Sequence, residues 1–276
     1  MTFPLRGAVA VVTGAAKGIG AALARGLASR GCDLALVDRD RDALAAVVSA
    51  ARKSGAAVSE HAADVADPAA AESLREAVLA EHGRASVLIN NAGVALLGRF
   101  DEVGLADMEW LFAINFWGTV RMCKAFLPVL RQQPAAQIVN LSSIFGMVAP
   151  AGQTAYAASK FAVRGFSEAL RHELEESGIG VSVVHPGGIR TRIAASARIS
   201  ACVDPQDAAE RIARFDSIAR TSPETAAARI IAGIERREKR ILIGRDALRL
   251  DWMQRMLPVS YWALMKRRAA HPRAST

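Results

Sequence analysis

The stretch "AVAVVTGAAKGIG", residues 8–20, decides the fold. Its first six residues form an apolar, valine-rich run of the kind found in strands covered on both faces. Gly14, Gly18 and Gly20 follow, and the chain continues into "AALARGLASRG" with helical spacing. A strand that turns through glycines into a helix lets the backbone approach a charged group closely. No side chains intervene, and the helix N-terminus offers unpaired N–H groups. The spacing is G-x-x-x-G-x-G and not the G-x-G-x-x-G of the general dinucleotide fingerprint. Taken alone, it also fits simple tight packing.

Outward from this stretch the same alternation repeats. Short apolar runs at 33–38, 57–63, 86–91, 137–142, 180–185 and 240–244 each stand next to longer segments with helical periodicity. Seven strands alternating with helices predict a single α/β domain, a doubly wound parallel seven-stranded sheet with helices on both faces, the Rossmann fold. The domain is expected over residues 1–244, with a substrate lid at about 190–222, the least regular long connection. Residues 245–276 read as a basic amphipathic helical C-terminal extension. Half of the 276 residues are hydrophobic, enough for one large core.

Composition narrows the function. The net charge of +8 lies wholly in the tail: residues 1–235 hold 24 basic and 24 acidic side chains, residues 236–276 hold 11 and 3. A neutral body without a basic stripe or zinc spacing argues against nucleic acid as a partner. Cys32, Cys123 and Cys202 are few and scattered, and the chain starts without a leader pattern. Both features lead to the expectation of a cytoplasmic protein. His61, His82, His172, His185 and His271 lack metal-ligand spacing, so no metal is expected. No G-x-S-x-G elbow surrounds Ser142, which leaves hydrolase chemistry without support.

Asp38 ends the second run, 18 residues after Gly20, where a carboxylate would accept from both hydroxyls of a ribose. It repels a 2′-phosphate, which favours NAD, while Lys17 and Arg39 are cations that would tolerate NADP. Gly18, Ile19 and Gly20 open the helix toward a pyrophosphate. Asp64 and Val65 follow the third run, where they would meet an adenine. Asn91, Ala92 and Gly93 follow the fourth, in "NNAG", although such asparagines also serve as plain turn formers.

Further on, "YAASK" places Tyr156 and Lys160 on one helical face at i and i+4. A free tyrosine titrates near 10, too high for a base at neutrality, and each unit of lowering requires about 1.4 kcal/mol. A neighbouring ammonium and an oxidised nicotinamide would supply several units. The phenolate would then take the hydroxyl proton of an alcohol as its hydride departs. For a lone Tyr–Lys pair, plain packing is the simpler account. This pair stands downstream of Ser142–Ser143 and Asn115, and "HPGGIRT" follows the sixth run. There Pro186 and Gly187 form a turn that would bring the Ile189 N–H and Thr191 to a nicotinamide amide.

The motifs "TGAAKGIG", Asp64, "NNAG", Asn115, Ser143, "YAASK" and "PGGIRT", in this order, resemble those of the short-chain dehydrogenase/reductase family from about Gly7 to Gly244. The resemblance implies an NAD(P)-dependent oxidoreductase acting on CH–OH groups. It assigns the acid/base role to Tyr156 and the substrate oxygen to Ser143. Lys160 would hold the nicotinamide ribose and lower the tyrosine pKa, while Asn115 would position a water on the proton path. It also implies a homodimer or homotetramer built on the long helices. In such a protein the substrate wall would come from "VALLG" (94–98), "IFGMVAPAG" (144–152) and "IRTRIAASA" (189–197), with Phe145 and Met147 as wall residues. The first two segments are uncharged and largely apolar, so a lipophilic secondary alcohol or ketone is expected, with Arg190 and Arg192 at the mouth. The rival is a non-catalytic protein that senses a dinucleotide through the same pocket. In the tail, Trp252, Met253, Met256, Leu257, Tyr261, Trp262 and Met265 mix with Arg255, Lys266, Arg267 and Arg268. That composition suits peripheral membrane contact or packing over the substrate mouth.

Overall fold

A computed structural model describes residues 2–270, and of 267–270 the backbone path only. His271 and the Arg267 and Arg268 side chains, named above, lie outside the described residues. The first half of the chain runs β1 (Val9–Thr13), α1 (Gly18–Ala28), β2 (Asp33–Asp38), α2 (Arg41–Arg52), β3 (Val58–Ala62), α3 (Ala70–His82) and β4 (Val87–Asn90). A short β5 (Leu96–Leu97) precedes α4 (Leu105–Phe112), a π-helical turn (Ala113–Gly118) and α5 (Thr119–Leu130). Then come β6 (Ala136–Leu141), a 3-10 turn (Ile144–Gly146), α6 (Thr154–Glu173) and β7 (Ile179–Pro186). The last part comprises β8 (Arg198–Ile199), α7 (Pro205–Ile218), α8 (Pro223–Glu235), β9 (Arg240–Ile243), α9 (Arg245–Met256) and α10 (Tyr261–Ala270).

Seven strands form one parallel sheet in the order β3-β2-β1-β4-β6-β7-β9. All seven coincide within a residue or so with the apolar runs of the sequence. Alternate side chains face opposite layers, as the pleat requires. Ala10, Val12, Leu34 and Leu36 join Leu23 and Leu27 of α1 and Ile230 and Ile234 of α8 in one core. Val11, Ala35 and Val37 join Val78 of α3, Phe126 of α5 and Leu170 of α6 in the other. Truncating the fully buried Phe126 to alanine would cost about 3–5 kcal/mol.

Strand order reverses at β1, which pairs with β2 on one side and with β4 on the other. A crevice at the carboxyl ends of β1 and β4 is the ligand position of such sheets. β4 and β6 are aligned so that Asn90 stands opposite Asn140. Asn90 Nδ2 donates to Asn140 Oδ1 at 2.8 Å, Asn140 Nδ2 to Ser167 Oγ at 2.9 Å, and Ser167 Oγ to the Val163 carbonyl at 2.7 Å. Asn90 therefore belongs to the interior of the sheet, and only its neighbour Asn91 reaches the crevice.

The segment at 190–222 is more regular than the sequence suggested. β8 pairs with β5 in a small parallel ladder, and Asp204 caps α7 by accepting from Gln206 and Asp207 N. Its helix escaped notice because Ala208 is its one buried residue, so its apolar stripe is too thin to read.

Candidate active site

Residues 13–20 follow β1 and make a backbone nest. Gly14 and Gly18 adopt φ of +65° and +55°, where a side chain is strained. A Cβ on Gly20 would fall 2.0 Å from the Gly14 carbonyl oxygen. The N-terminus of α1 has no side-chain cap, so its first N–H groups remain available to an anion. Asn91 holds the nest closed: its Nδ2 donates to the Thr13 and Gly14 carbonyls, both at 2.9 Å. Thr13 Oγ1 in turn accepts from Asn91 N and Ala92 N at 3.1 Å each. Thr13 is a residue the sequence reading passed over, since a threonine ending a strand is an ordinary strand residue.

Asp38 accepts from Ala16 N and Asp40 N, one at each carboxylate oxygen. Lys17 does not stand free beside it, being paired with Asp40 at 2.5 Å. Arg39 is exposed, as is Asp64, whose carboxylate caps the turn at Ala66 N. Val65 packs against Gly118 of the π-helical turn.

The catalytic candidates converge from β6 and α6. Tyr156 lies on the first turn of α6, and Lys160 Nζ stands 5.8 Å from the centre of its ring. Lys160 is buried and donates to the Leu141 carbonyl at 3.1 Å. Desolvation pushes the lysine down to about 8 and the Tyr156 phenol up to about 12, the Ser143 side chain pulling the phenol the other way. Ser143 Oγ also accepts from Phe145 N at 3.1 Å, and the Phe145 ring meets Tyr156 edge-on, 6.3 Å between centres. A Cβ on Gly93 would come within 3.3 Å of both Lys160 Nζ and Asn115 Oδ1, so "NNAG" borders the lysine directly.

Asn115 sits in the π-helical turn. Its Oδ1 accepts from Val94 N at 2.9 Å, and its Nδ2 donates to the Val94 carbonyl and to Ser159 Oγ, both at 3.1 Å. The carboxamide thus ties the strand after "NNAG" to α6. Ser142 is likewise structural, its Oγ donating to the Lys160 carbonyl at 2.8 Å. His185, unassigned by the sequence reading, is fully buried with Nδ1 3.0 Å from the Ser143 carbonyl oxygen. Burial, chiefly, lowers it to about 4, so it is neutral and its Nδ1–H donates to that carbonyl.

After β7, nearly every backbone donor from 187 to 191 is engaged. Gly187 N donates to Ile243 O, Gly188 N to Asp246 Oδ2, Arg190 N to Thr221 O and Thr191 N to Ile189 O. Among the described residues the Ile189 N–H alone in this loop has no partner, although Ile189 is 4% exposed. A buried, unpartnered N–H calls for a ligand acceptor. Thr191 packs over Gly18, 3.2 Å from a Cβ built there, which joins the loop to the nest. These features fit a dinucleotide stretched from Asp38 across the nest to Ile189 and Lys160.

Two substrate expectations need correction. Met147 is 1% exposed and packs with Ile144, Val148 and Ala247 of α9, its sulfur facing Arg240, so it lies beneath the extension and not on an open wall. Arg190 and Arg192 line a cavity of about 890 Å³ floored by Ala43, Ala46 and Val47 of α2. Ala16, Lys17 and Gly18 of the nest line that cavity too, whereas Tyr156 does not. Beside the tyrosine instead stand Leu96, Leu111 and Ala155, with Val94 and Trp110 packed against them.

Comparison with known proteins places the fold and the family. Residues 8–200 match the short chain dehydrogenase family. SadH of Mycobacterium tuberculosis, by name an oxidoreductase, is 42% identical over 261 residues, 94% of each chain. D-threitol dehydrogenase of Mycolicibacterium smegmatis is 39% identical across 69% of this chain and 74% of its own. Among solved structures, a short chain dehydrogenase/reductase from Burkholderia phymatum in complex with NAD superposes with a TM-score of 0.84 at 30% identity, covering 99% of this chain and 100% of the other. The chain belongs to the short-chain dehydrogenase/reductase family, a class of oxidoreductases.

Proposed function

We propose that this protein interconverts a lipophilic secondary alcohol and a ketone with NAD as the hydride carrier. The observation that carries the proposal is the meeting of the buried Lys160, the Tyr156 phenol and Ser143, in a chain whose loop after β7 also holds an unpartnered Ile189 N–H. A nicotinamide bound against that loop supplies the hydride acceptor. Asp38 would receive the adenosine ribose and the α1 N-terminus the pyrophosphate. Lys160 and Gly93, which adjoin each other, would border the nicotinamide ribose. In the oxidative direction the substrate hydroxyl donates its proton to the Tyr156 oxygen while the hydride leaves its carbon, and Ser143 holds the nascent carbonyl oxygen. In reverse, the phenol returns that proton.

In the ligand-free protein the tyrosine is firmly protonated. Lowering its pKa toward neutrality needs the field of the oxidised ring added to that of the Lys160 ammonium already beside it. The apolar surroundings of Tyr156, with Phe145, Val94 and Leu96, support a lipophilic substrate. Exposed Trp117 and Phe161 lie on the helical layer that long-helix oligomers of this family use, which supports a homodimer or homotetramer.

The extension divides between its two expected roles. On α10, Tyr261 packs into the cluster of Ile144 and Met147, and its hydroxyl accepts from Ala149 N. On α9, Leu248, Trp252 and Met256 point outward at i, i+4 and i+8, flanked by exposed Arg245 and Arg249. An outward apolar stripe between cations supports attachment to an anionic lipid surface, from which a lipophilic substrate would be drawn. No helix among the described residues is long and apolar enough to cross a membrane.

The deciding experiment follows nicotinamide absorbance with NAD and NADP against a panel of lipophilic secondary alcohols. Tyr156→Phe is expected to lower turnover by at least about a thousandfold, within the range of acid–base catalysis, with NADH affinity nearly unchanged. NADH binding without turnover of any panel member would move the balance to dinucleotide sensing.

A further inference from the structure

We infer that Asp246, on the C-terminal extension, is a positioning residue for the loop that faces the nicotinamide. The inference rests on the oxidoreductase reading above and extends it to a residue outside the family's motifs.

Asp246 lies in the first turn of α9, three residues beyond the end of β9. Its Oδ2 accepts from Gly188 N at 2.7 Å. A carboxylate accepting from an amide makes a charge-assisted bond, stronger than the neutral bonds around it. The Gly188 carbonyl is held on its other side by Arg220 N and Thr221 N, at 3.1 and 3.2 Å. The two peptides flanking Gly188 are thus each anchored, and the second of them carries the Ile189 N–H.

The sequence around the carboxylate is built to admit it. A Cβ on Gly187 would fall 2.2 Å from Asp246 Oδ2, and one on Gly244 would fall 2.3 Å from Oδ1. Gly244 also has φ of +95°, which a side chain would strain. Two glycines from different strand ends therefore make room for one acid. Pairing with a cation does not explain this arrangement. Among the described residues Asp246 forms no salt bridge, whereas its neighbour Asp251 is paired with Arg240 and Arg255. The exposed position of Asp246 makes a stability role small, since surface hydrogen bonds compete with water. What the bond does is fix the Gly187–Gly188 peptide, and together with the Arg220 and Thr221 bonds on the Gly188 carbonyl it holds the peptide that presents the Ile189 N–H.

The test compares two ligands that share an adenosine end. NADH reaches the loop at 186–191; ADP-ribose, lacking the nicotinamide, does not. Asp246→Ala is expected to weaken NADH by about tenfold, the loss of one hydrogen bond to a charged group, and to leave ADP-ribose within about twofold. Asp246→Asn, which retains an acceptor oxygen, should restore most of the NADH affinity. Calorimetry on the full chain reads both ligands, and a melting curve for each variant checks folding. Equal losses for NADH and ADP-ribose would overturn the proposal by showing a general disturbance, and so would unchanged NADH binding. A wild-type protein that binds neither ligand would remove the dinucleotide reading and this proposal with it. A wild type that binds both, with an indifferent Asp246→Ala, would remove this proposal alone.

Discussion

The cofactor end and the substrate end of this crevice are built by opposite means. At the cofactor end the backbone makes the site: glycines at 14, 18 and 20, a bare helix N-terminus, and side chains such as Asn91 and Thr13 that only hold the backbone in shape. At the substrate end side chains make it, and many come from far along the chain. Phe145, Val94 and Leu96 border Tyr156, while Ala247 and Tyr261 of the extension close the segment from behind. The comparison teaches that a backbone site tolerates no added atom, whereas a side-chain site tolerates change and pays in selectivity.

The hardest test of the first half of that statement is Gly20→Ala. The new methyl would meet the Gly14 carbonyl and Asn91 Nδ2, at 2.0 and 2.7 Å, and neither can retreat without opening the nest. NADH affinity should fall about a hundredfold or more, a size set by loss of several N–H contacts at once. Gly165→Ala serves as its control, because a Cβ there meets nothing within 4 Å on the exposed side of α6. It should raise unfolding free energy by about 0.5–1 kcal/mol in a denaturant titration, the gain of alanine over glycine in a helix. If both substitutions acted alike, the contrast would fail.

The next test reads the chemistry across the boundary between the two ends. The chain has only two tyrosines, Tyr156 and Tyr261, so an ultraviolet titration with Tyr156→Phe as reference isolates one phenol. Without ligand, Tyr156 should ionise at about 12, and saturating NAD should bring it down by several units. The sign for catalysis follows: alcohol oxidation needs the phenolate and should rise with pH through the liganded value. Lys160→Ala, which deletes the ammonium, should move that rise to higher pH. The stability consequence of the lysine has its own direction. Its folded pKa of about 8 lies below the unfolded 10.5, so the unfolded chain binds more protons between those values. Stability should therefore increase with pH across that window in the wild type, apart from other groups, and this increment should vanish in Lys160→Ala.

Smaller effects belong to the substrate end. Phe145→Asn should raise KM for a bulky apolar alcohol about tenfold with kcat less affected, as expected from removing an apolar contact made equally in ground and transition states. An unchanged KM would take Phe145 off the wall. The mildest effect concerns α9. Trp252→Ser should reduce co-sedimentation with phosphatidylglycerol vesicles about threefold while leaving turnover of a soluble substrate intact. Wild-type protein that sediments with neither these vesicles nor phosphatidylcholine would end the lipid part of the proposal.

How much of this was legible in the sequence follows from the same contrast. The sheet could be read because each strand is a continuous apolar run with its own punctuation, and the nest because only glycine fits where it turns. Tyr156 and Lys160 could be read because a helix fixes what lies four residues apart. The roles of Asp246, Tyr261 and His185 could not, since each acts on a residue more than 40 positions away that only the fold brings near. Met147 was misplaced for the same reason: its neighbours are supplied by α9 and by Arg240. The π-helical turn around Asn115 also left no periodic trace, being a single widened turn between α4 and α5.

The paired asparagines of β4 and β6 bear on how reliably this site assembles. Parallel strands of nearly uniform valine, leucine and isoleucine have little in their apolar faces to prevent a slip of one residue. Here a slip of β4 against β6 would part Asn90 from Asn140 and leave the buried Asn90 amide and Asn140 Oδ1 without these partners, at about 1–3 kcal/mol for each such group. Ser143 stands three residues beyond Asn140 and Asn91 one beyond Asn90. The amide pair is a mating key cut into an otherwise smooth joint, and Ser143 and the glycine nest reach their shared depth because the key enters in one position.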